Sequence, residues 1–165
     1  MAGQDAAEAF WRFSLMVYAR PGIAGALIRL QDRGGHNVNV VLYGMWLGVC
    51  EGGRLDVAGL ARAAAAIEGL DRAIVAPLRR LRRALKDNSD PDAREMRRRV
   101  LALEIATERR VQARLAASVA RRRKPHAGDR HALAEANLRL VLGGDFDSEE
   151  AALLCQVIAG IVGTN

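Results

Sequence analysis

The chain has 165 residues, of which 50 % are hydrophobic, 27 % are charged and 4 % are aromatic, and its formal net charge is +6. This length is sufficient for one domain with its own apolar core. The longest apolar run, residues 40–50, is shorter than the roughly 20 residues of a membrane span. The N-terminus lacks a signal-peptide pattern, and Cys50 and Cys155 have neither disulfide nor metal-site spacing. We therefore predict a cytoplasmic protein with two buried thiols.

Glycine, proline and capping residues divide the chain into about eight helical segments. No segment shows the two-residue alternation of a strand, and the abundant Ala, Leu and Arg favour helix. The predicted helices cover residues 5–20, 22–32, 38–50, 57–70, 71–86, 91–123, 129–142 and 148–161. Pro77 should kink the fifth helix or mark its start. The fold class predicted is an all-α, single-domain bundle of seven to eight helices.

The third segment, residues 38–50, is apolar on nearly every face, which indicates a central helix that the others surround. Gly44 and Gly48, four residues apart, allow a neighbouring helix to approach closely. A buried strand is the alternative for residues 38–43, because Val and Tyr are good strand formers. The helical segments on both sides favour the helix.

The net positive charge is confined to the middle of the chain. Residues 1–71 carry a formal charge of −1, residues 72–124 carry +11, and residues 125–165 carry −4. We predict that residues 72–124 form an Arg-rich helical hairpin, for which internal pairing with the acidic C-terminal helices is the leading explanation. Binding of an acidic protein or of RNA is the alternative, and the lack of aromatic residues in this stretch disfavours RNA. The candidate residues for an acidic partner are Arg79, Arg80, Arg82, Arg83, Lys86, Arg97 and Arg98.

A second group of candidate residues lies in the N-terminal third, where six of the seven aromatic residues occur. These aromatic and polar side chains predict a pocket between the first three helices. The competing interpretation is structural, with Arg20 paired to Asp32, and Asn37 or Asn39 capping the third helix. The candidate residues are Trp11, Tyr18, Arg20, Gln31, Asp32, Asn37, Asn39, Tyr43 and Trp46.

The sequence contains none of the common nucleotide-binding or hydrolase motifs. Glu104 and Glu108 share one helix face, but the histidines of a di-iron site are absent, so this face is predicted to be solvated. His126 and His131 flank the start of the helix predicted over residues 129–142. Their spacing of five residues places the two imidazoles on different sides of that helix, which disfavours a shared metal ion. We predict no catalytic residue, no metal and no cofactor.

Two stretches carry a resemblance to a known family. The first combines a Trp11-x-Phe13 and Tyr18-x-Arg20-Pro-Gly pattern with a later Leu-Gln-Asp segment and a Val-Asn pair. The second, residues 77–86, is similar to the pattern P-L-R-x-x-R-R-x-L-K. Together they resemble a family of uncharacterised proteobacterial conserved hypothetical proteins over residues 11–115. The resemblance implies a helical, bacterial, cytoplasmic protein and no reaction. It points to Trp11, Tyr18, Arg20, Pro21, Gln31, Asp32, Asn39 and Trp46.

These observations support three functional hypotheses. The first is a non-catalytic module that binds a protein partner through the Arg-rich hairpin, with the apolar last helix, residues 151–162, as a possible homodimer face. The second is a small-molecule or enzymatic site between the first three helices. The third is RNA or ribosome binding through the hairpin.

Overall fold

A computed structural model describes residues 2–118 and 128–163 of the chain. Within these ranges the chain is helical throughout, with short connections and no strand, so the predicted all-α class is confirmed. None of the helices in these ranges is long and apolar enough to cross a membrane. The helices are α1 (Ala2–Tyr18), α2 (Ile23–Gly34), α3 (Val38–Val49), α4 (Val57–Leu70), α5 (Ala76–Ala84), α6 (Pro91–Ala117), α7 (Arg130–Leu142) and α8 (Glu149–Val162).

Helix α3 is the centre of the bundle, as predicted, and every one of its residues is buried. It packs most extensively against α7 and also contacts α1, α2, α6 and α8. Gly48 allows the close approach of α7, because a Cβ atom at this position would lie 2.3 Å from the Cα atom of Ala134. The strand alternative for residues 38–43 is therefore wrong, since a helix surrounded on all sides accounts for the same apolar run.

Helices α5 and α6 form the predicted hairpin. A π-helical turn, Asp71–Val75, joins α4 to α5 without a break in the helix, and Pro77 follows it in the first turn of α5. The N–H of Ala76 bonds back to the carbonyl of Asp71, so the helical hydrogen-bond pattern is already shifted where the proline has no N–H to donate. Two large apolar residues of α6 face solvent, since Met96 and Leu103 are 50 % and 54 % exposed. Glu104 is buried instead. The predicted helical stretch beyond Ser118, and His126, lie outside the described residues.

The apolar side of α8 is buried within the chain. Ala151, Leu154, Ile158 and Ile161 belong to the core, and α8 packs against α2 and α7. The homodimer face was predicted from these same side chains, so that interpretation loses its basis. Homodimerisation through α8 stays a prediction with no apolar stripe to support it.

The predicted ion pairing between the hairpin and the acidic C-terminal helices is wrong for the described residues. Arg109 of α6 forms an ion pair with Glu8 of α1. Glu150 of α8 instead forms an ion pair with Arg29 of α2, with 2.5 Å between Arg29 Nε and Glu150 Oε1. The reason lies in the packing, because α6 lies along α1 whereas α8 lies along α2 and α7.

The prediction of two buried thiols is also wrong. Cys50 follows α3 at the point where the chain leaves the core, and it is exposed, while Cys155 is partly buried. Desolvation of the Cys50 sulfur, together with the negative charge of Glu51, nevertheless raises the pKa of this thiol to about 11.

Cys50 should therefore be a slow nucleophile despite its exposure. Its raised pKa lowers the thiolate fraction at pH 8, so we expect alkylation by iodoacetamide to be at least about tenfold slower than for an unstructured cysteine. A Cys155→Ser variant isolates Cys50, and the same variant unfolded in guanidinium chloride supplies the reference rate. Equal rates in the folded and unfolded protein would contradict the expectation.

Candidate functional site

A cavity of about 770 Å³ is lined by α1, α2 and the α5–α6 hairpin, with the start of α3 at its base. This volume is within the roughly 300–1,000 Å³ range of small-molecule pockets. We call this space the hairpin cavity. Every residue that lines it falls between Trp11 and Gln112.

One wall of the hairpin cavity is apolar and open to solvent. Leu15, Tyr18, Ile28, Leu101 and Ile105 line it, and each is between 39 % and 52 % exposed. They make up five of the eleven large hydrophobic side chains that are exposed in the described residues. Exposed apolar side chains gathered in one concave site are typical of a binding surface, because scattered single residues would need no explanation.

The hairpin contributes a partly buried cluster of charged side chains to the same cavity. Arg82 Nε lies 2.5 Å from Glu104 Oε2, and Arg79 bonds both Glu104, at 3.4 Å, and Glu108, at 2.8 Å. Glu104 is only 4 % exposed. Burial raises the pKa of Glu108, and the hydrogen bond to Glu104 raises the pKa of Arg82. The prediction of a solvated glutamate face is therefore wrong, because α5 covers this face of α6.

A chain of amide and hydroxyl groups forms the base of the cavity. Gln112 Nε2 donates to Asn39 Oδ1 at 3.0 Å, and the Ser14 hydroxyl lies 3.1 Å from Gln112 Oε1. Asn37 Oδ1 accepts a hydrogen bond from the Asn39 backbone N–H and caps α3, as the structural interpretation predicted. Since these groups belong to α1, α3 and α6, their hydrogen bonds fix the three helices relative to one another.

At another part of the lining, Asp32 of α2 pairs with Arg83 of α5 across 2.9 Å. The Arg83 hydrogen bond holds the pKa of the Asp32 carboxyl below its usual range. The alternative pair between Arg20 and Asp32 is wrong, because Arg20 lies beside α8, next to Leu153 and Val157. Asp32 thus joins α2 to the hairpin.

Tyr18 belongs to the apolar wall, and its hydroxyl is close enough to Glu108 to be affected by the charge of that carboxylate. Desolvation of its hydroxyl, reinforced by the negative charge of Glu108, raises the pKa of Tyr18 to about 12. The phenol therefore stays protonated at neutral pH and can donate a hydrogen bond into the cavity.

Two cations of the cavity lining have no acidic partner in the described part of the chain. Lys86 and Arg97 both line the cavity, and no carboxylate of residues 2–118 or 128–163 forms an ion pair with either. The Nε atom of Arg97 is buried, and no group of the described residues accepts a hydrogen bond from it. These are the groups of the cavity with unused capacity to bind an anion.

The two candidate sites, predicted separately, meet at this one cavity. Its lining includes ten of the predicted residues: Trp11, Tyr18, Gln31, Asp32, Asn39, Arg79, Arg82, Arg83, Lys86 and Arg97. Tyr43 and Trp46 belong to the core, where Trp46 stacks on Phe10 with ring centroids 5.0 Å apart.

The other predicted residues lie outside the cavity lining. Arg80 is exposed on α5, and Arg98 pairs with Glu95 on the exposed side of α6. Sequence reasoning did not identify Ser14 and Gln112, and it assigned Glu104 and Glu108 to solvent. One signal was present for Glu104, which occupies the register of the buried residues Val100, Thr107 and Val111.

The fold is a small helical bundle with an amphipathic, partly open cavity. In the described ranges no group of three or more His, Cys, Asp or Glu side chains is placed to hold a metal ion. The chain belongs to the family described as Protein of unknown function (DUF2390), whose profile matches residues 9–115. This confirms the resemblance seen over residues 11–115, and the matched region contains every residue of the cavity lining. No curated protein and no solved structure matches the chain.

Proposed function

We propose that this protein binds a small organic molecule in the hairpin cavity. The observation that carries the proposal is the combination of a 770 Å³ concave space with an exposed apolar wall and a fixed polar base. Ligand pockets have this composition, in which apolar side chains supply most of the contact area and a few polar groups orient the ligand. Neither the apolar wall nor the space is needed to complete the core, which is centred on α3.

Ligand binding explains the cavity better than a protein or RNA partner for the Arg-rich hairpin does. Of the seven candidate cations, four are already bonded to carboxylates: Arg79, Arg82, Arg83 and Arg98. Phosphate binding releases counterions only where cations are free to neutralise it, so pairing within the chain weakens a nucleic-acid interface. The same pairing leaves a concave, partly apolar space, which suits a small molecule.

The proposal is tested by filling the cavity from one side. Ile105 lines it and Leu103 does not, although both are exposed apolar residues of α6. We expect Ile105→Trp to weaken binding of N-phenylnaphthylamine, an uncharged fluorescent probe, by at least about tenfold, because the indole takes the place of the ligand. Fluorescence titration measures the dissociation constant.

Leu103→Trp is the matched control, since it adds the same ring to the same helix outside the cavity. We expect this variant to bind the probe as the unmodified protein does, and both variants to melt within a few degrees of it. Absence of probe binding by the unmodified protein, or equal affinities in the two variants, would refute ligand binding in the hairpin cavity.

A further inference from the structure

The charges of the hairpin cavity are unequal, and the excess is localised. Five cationic and three acidic side chains line it, which leaves a formal surplus of two positive charges. The carboxylates of Asp32, Glu104 and Glu108 are bonded to Arg79, Arg82 and Arg83. The surplus therefore resides on Lys86 and Arg97.

The register of the hairpin places these two cations near the same end of the cavity. Arg79 contacts Glu108, and Arg82, one turn later, contacts Glu104. In an antiparallel pair, each further turn along α5 corresponds to one turn back along α6, so Lys86, just after the end of α5, lies at about the level of residues 100–101, one turn from Arg97. Both cations are thus close to the connection between α5 and α6.

Arg97 has an unsatisfied donor at this end. Its buried Nε atom has no acceptor among residues 2–118 and 128–163, which is unfavourable for a charged group unless a ligand supplies one. A guanidinium group binds carboxylate, sulfate or phosphate oxygens through paired hydrogen bonds, and a nearby ammonium group adds a second positive charge. The arrangement suits a single anionic headgroup.

The apolar wall continues directly from this headgroup site. Arg97, Leu101 and Ile105 follow one another at intervals of four residues and line the cavity along the same side of α6. At 1.5 Å per residue, this row extends about 12 Å. Leu15 and Ile28 supply apolar surface from α1 and α2.

From this arrangement we infer that the ligand class of the hairpin cavity is an amphipathic anion, an apolar body with one carboxylate, sulfate or phosphate group, whose headgroup binds Lys86 and Arg97. The inference rests on the proposed ligand-binding function and specifies the ligand's chemistry. Arg79, Arg82 and Arg83 hold the walls of the cavity together through their carboxylate partners, and they leave the headgroup to the two unpaired cations.

The test compares two probes that differ by one charged group. Anilinonaphthalene sulfonate is N-phenylnaphthylamine with an added sulfonate, so the ratio of their dissociation constants isolates the headgroup contribution. We expect Lys86→Met and Arg97→Met each to shift this ratio against the sulfonate by about tenfold, with little effect on the neutral probe. Arg80→Met is the matched control, since it removes the same charge from α5 outside the cavity, and it should leave the ratio unchanged.

Competition with aliphatic compounds extends the test from sulfonate to carboxylate. Octanoate should displace N-phenylnaphthylamine at concentrations at least about tenfold lower than octanol, which has the same chain length without the charge. If the neutral probe binds in an Ile105-dependent manner while the Lys86 and Arg97 variants keep the sulfonate preference, the anion inference is wrong and the cavity still binds ligands. If the neutral probe does not bind at all, the proposed function itself fails.

Discussion

Replacing Asn137 with leucine lowers the free energy of unfolding by about 4 kcal/mol, because one backbone N–H and two backbone carbonyl groups lose a hydrogen bond together. Asn137 is fully buried on α7. Its Oδ1 accepts from the Leu55 N–H at 2.7 Å, and its Nδ2 donates to the carbonyl oxygens of Gly44 at 3.0 Å and Gly53 at 2.9 Å. One amide therefore holds α7, α3 and the segment that connects α3 to α4. Leucine fills a similar volume but can neither donate nor accept.

Urea denaturation followed by circular dichroism measures this loss as a lower midpoint at unchanged slope. Gln156→Leu is the control, since Gln156 is an exposed amide on α8, and we expect a change within about 0.5 kcal/mol there. An Asn137→Asp variant retains an acceptor for Leu55 but no amide donors, so it should also be destabilised. A loss below about 1 kcal/mol for Asn137→Leu would contradict the role assigned to these hydrogen bonds.

The helices were predictable from the sequence because the residues that begin and end them lie at the helix termini themselves. Asp56, Asp90 and Ser148 each accept a hydrogen bond from a backbone N–H in the first turn of the helix that follows. The positive φ of Gly35 ends α2 in the conformation expected of a C-terminal glycine. These signals act within a few residues, so they do not depend on how the helices pack.

The burial of charged side chains between α5 and α6 was not predictable in the same way. Apolar periodicity finds a buried face only where the buried side chains are apolar, and α5 turns Arg79 and Arg82 toward α6. A buried carboxylate such as Glu104 is stable only beside a cation, which comes from 22 residues earlier in the chain. The sequence does not specify the register of the hairpin that brings the two together. It therefore predicted Arg79, Arg82 and Asp32 as candidates, but in two separate sites.

Buried and exposed glutamates of α6 should differ sharply in what they contribute to stability. Glu104 and Glu95 each accept hydrogen bonds from two arginines, Glu104 in the buried cluster and Glu95 on the exposed side, from Arg98 and Arg99. We expect Glu104→Gln to lower the free energy of unfolding by about 2–3 kcal/mol, because it leaves Arg82 partly buried without a carboxylate. Glu95→Gln should cost far less than this, since solvent screens an exposed pair.

Salt and ligand affinity separate these two effects further. In about 1 M NaCl the small cost of Glu95→Gln should vanish, whereas that of Glu104→Gln should largely persist, because a buried pair is screened far less. Neutralising Glu104 also raises the formal surplus of positive charge in the cavity and frees Arg82 to bind an anion. The less stable Glu104→Gln protein should therefore bind octanoate more tightly than the unmodified protein, with octanol unaffected. Weaker octanoate binding would show that the cluster must stay intact for the cavity to form, and that its charge does not set the affinity.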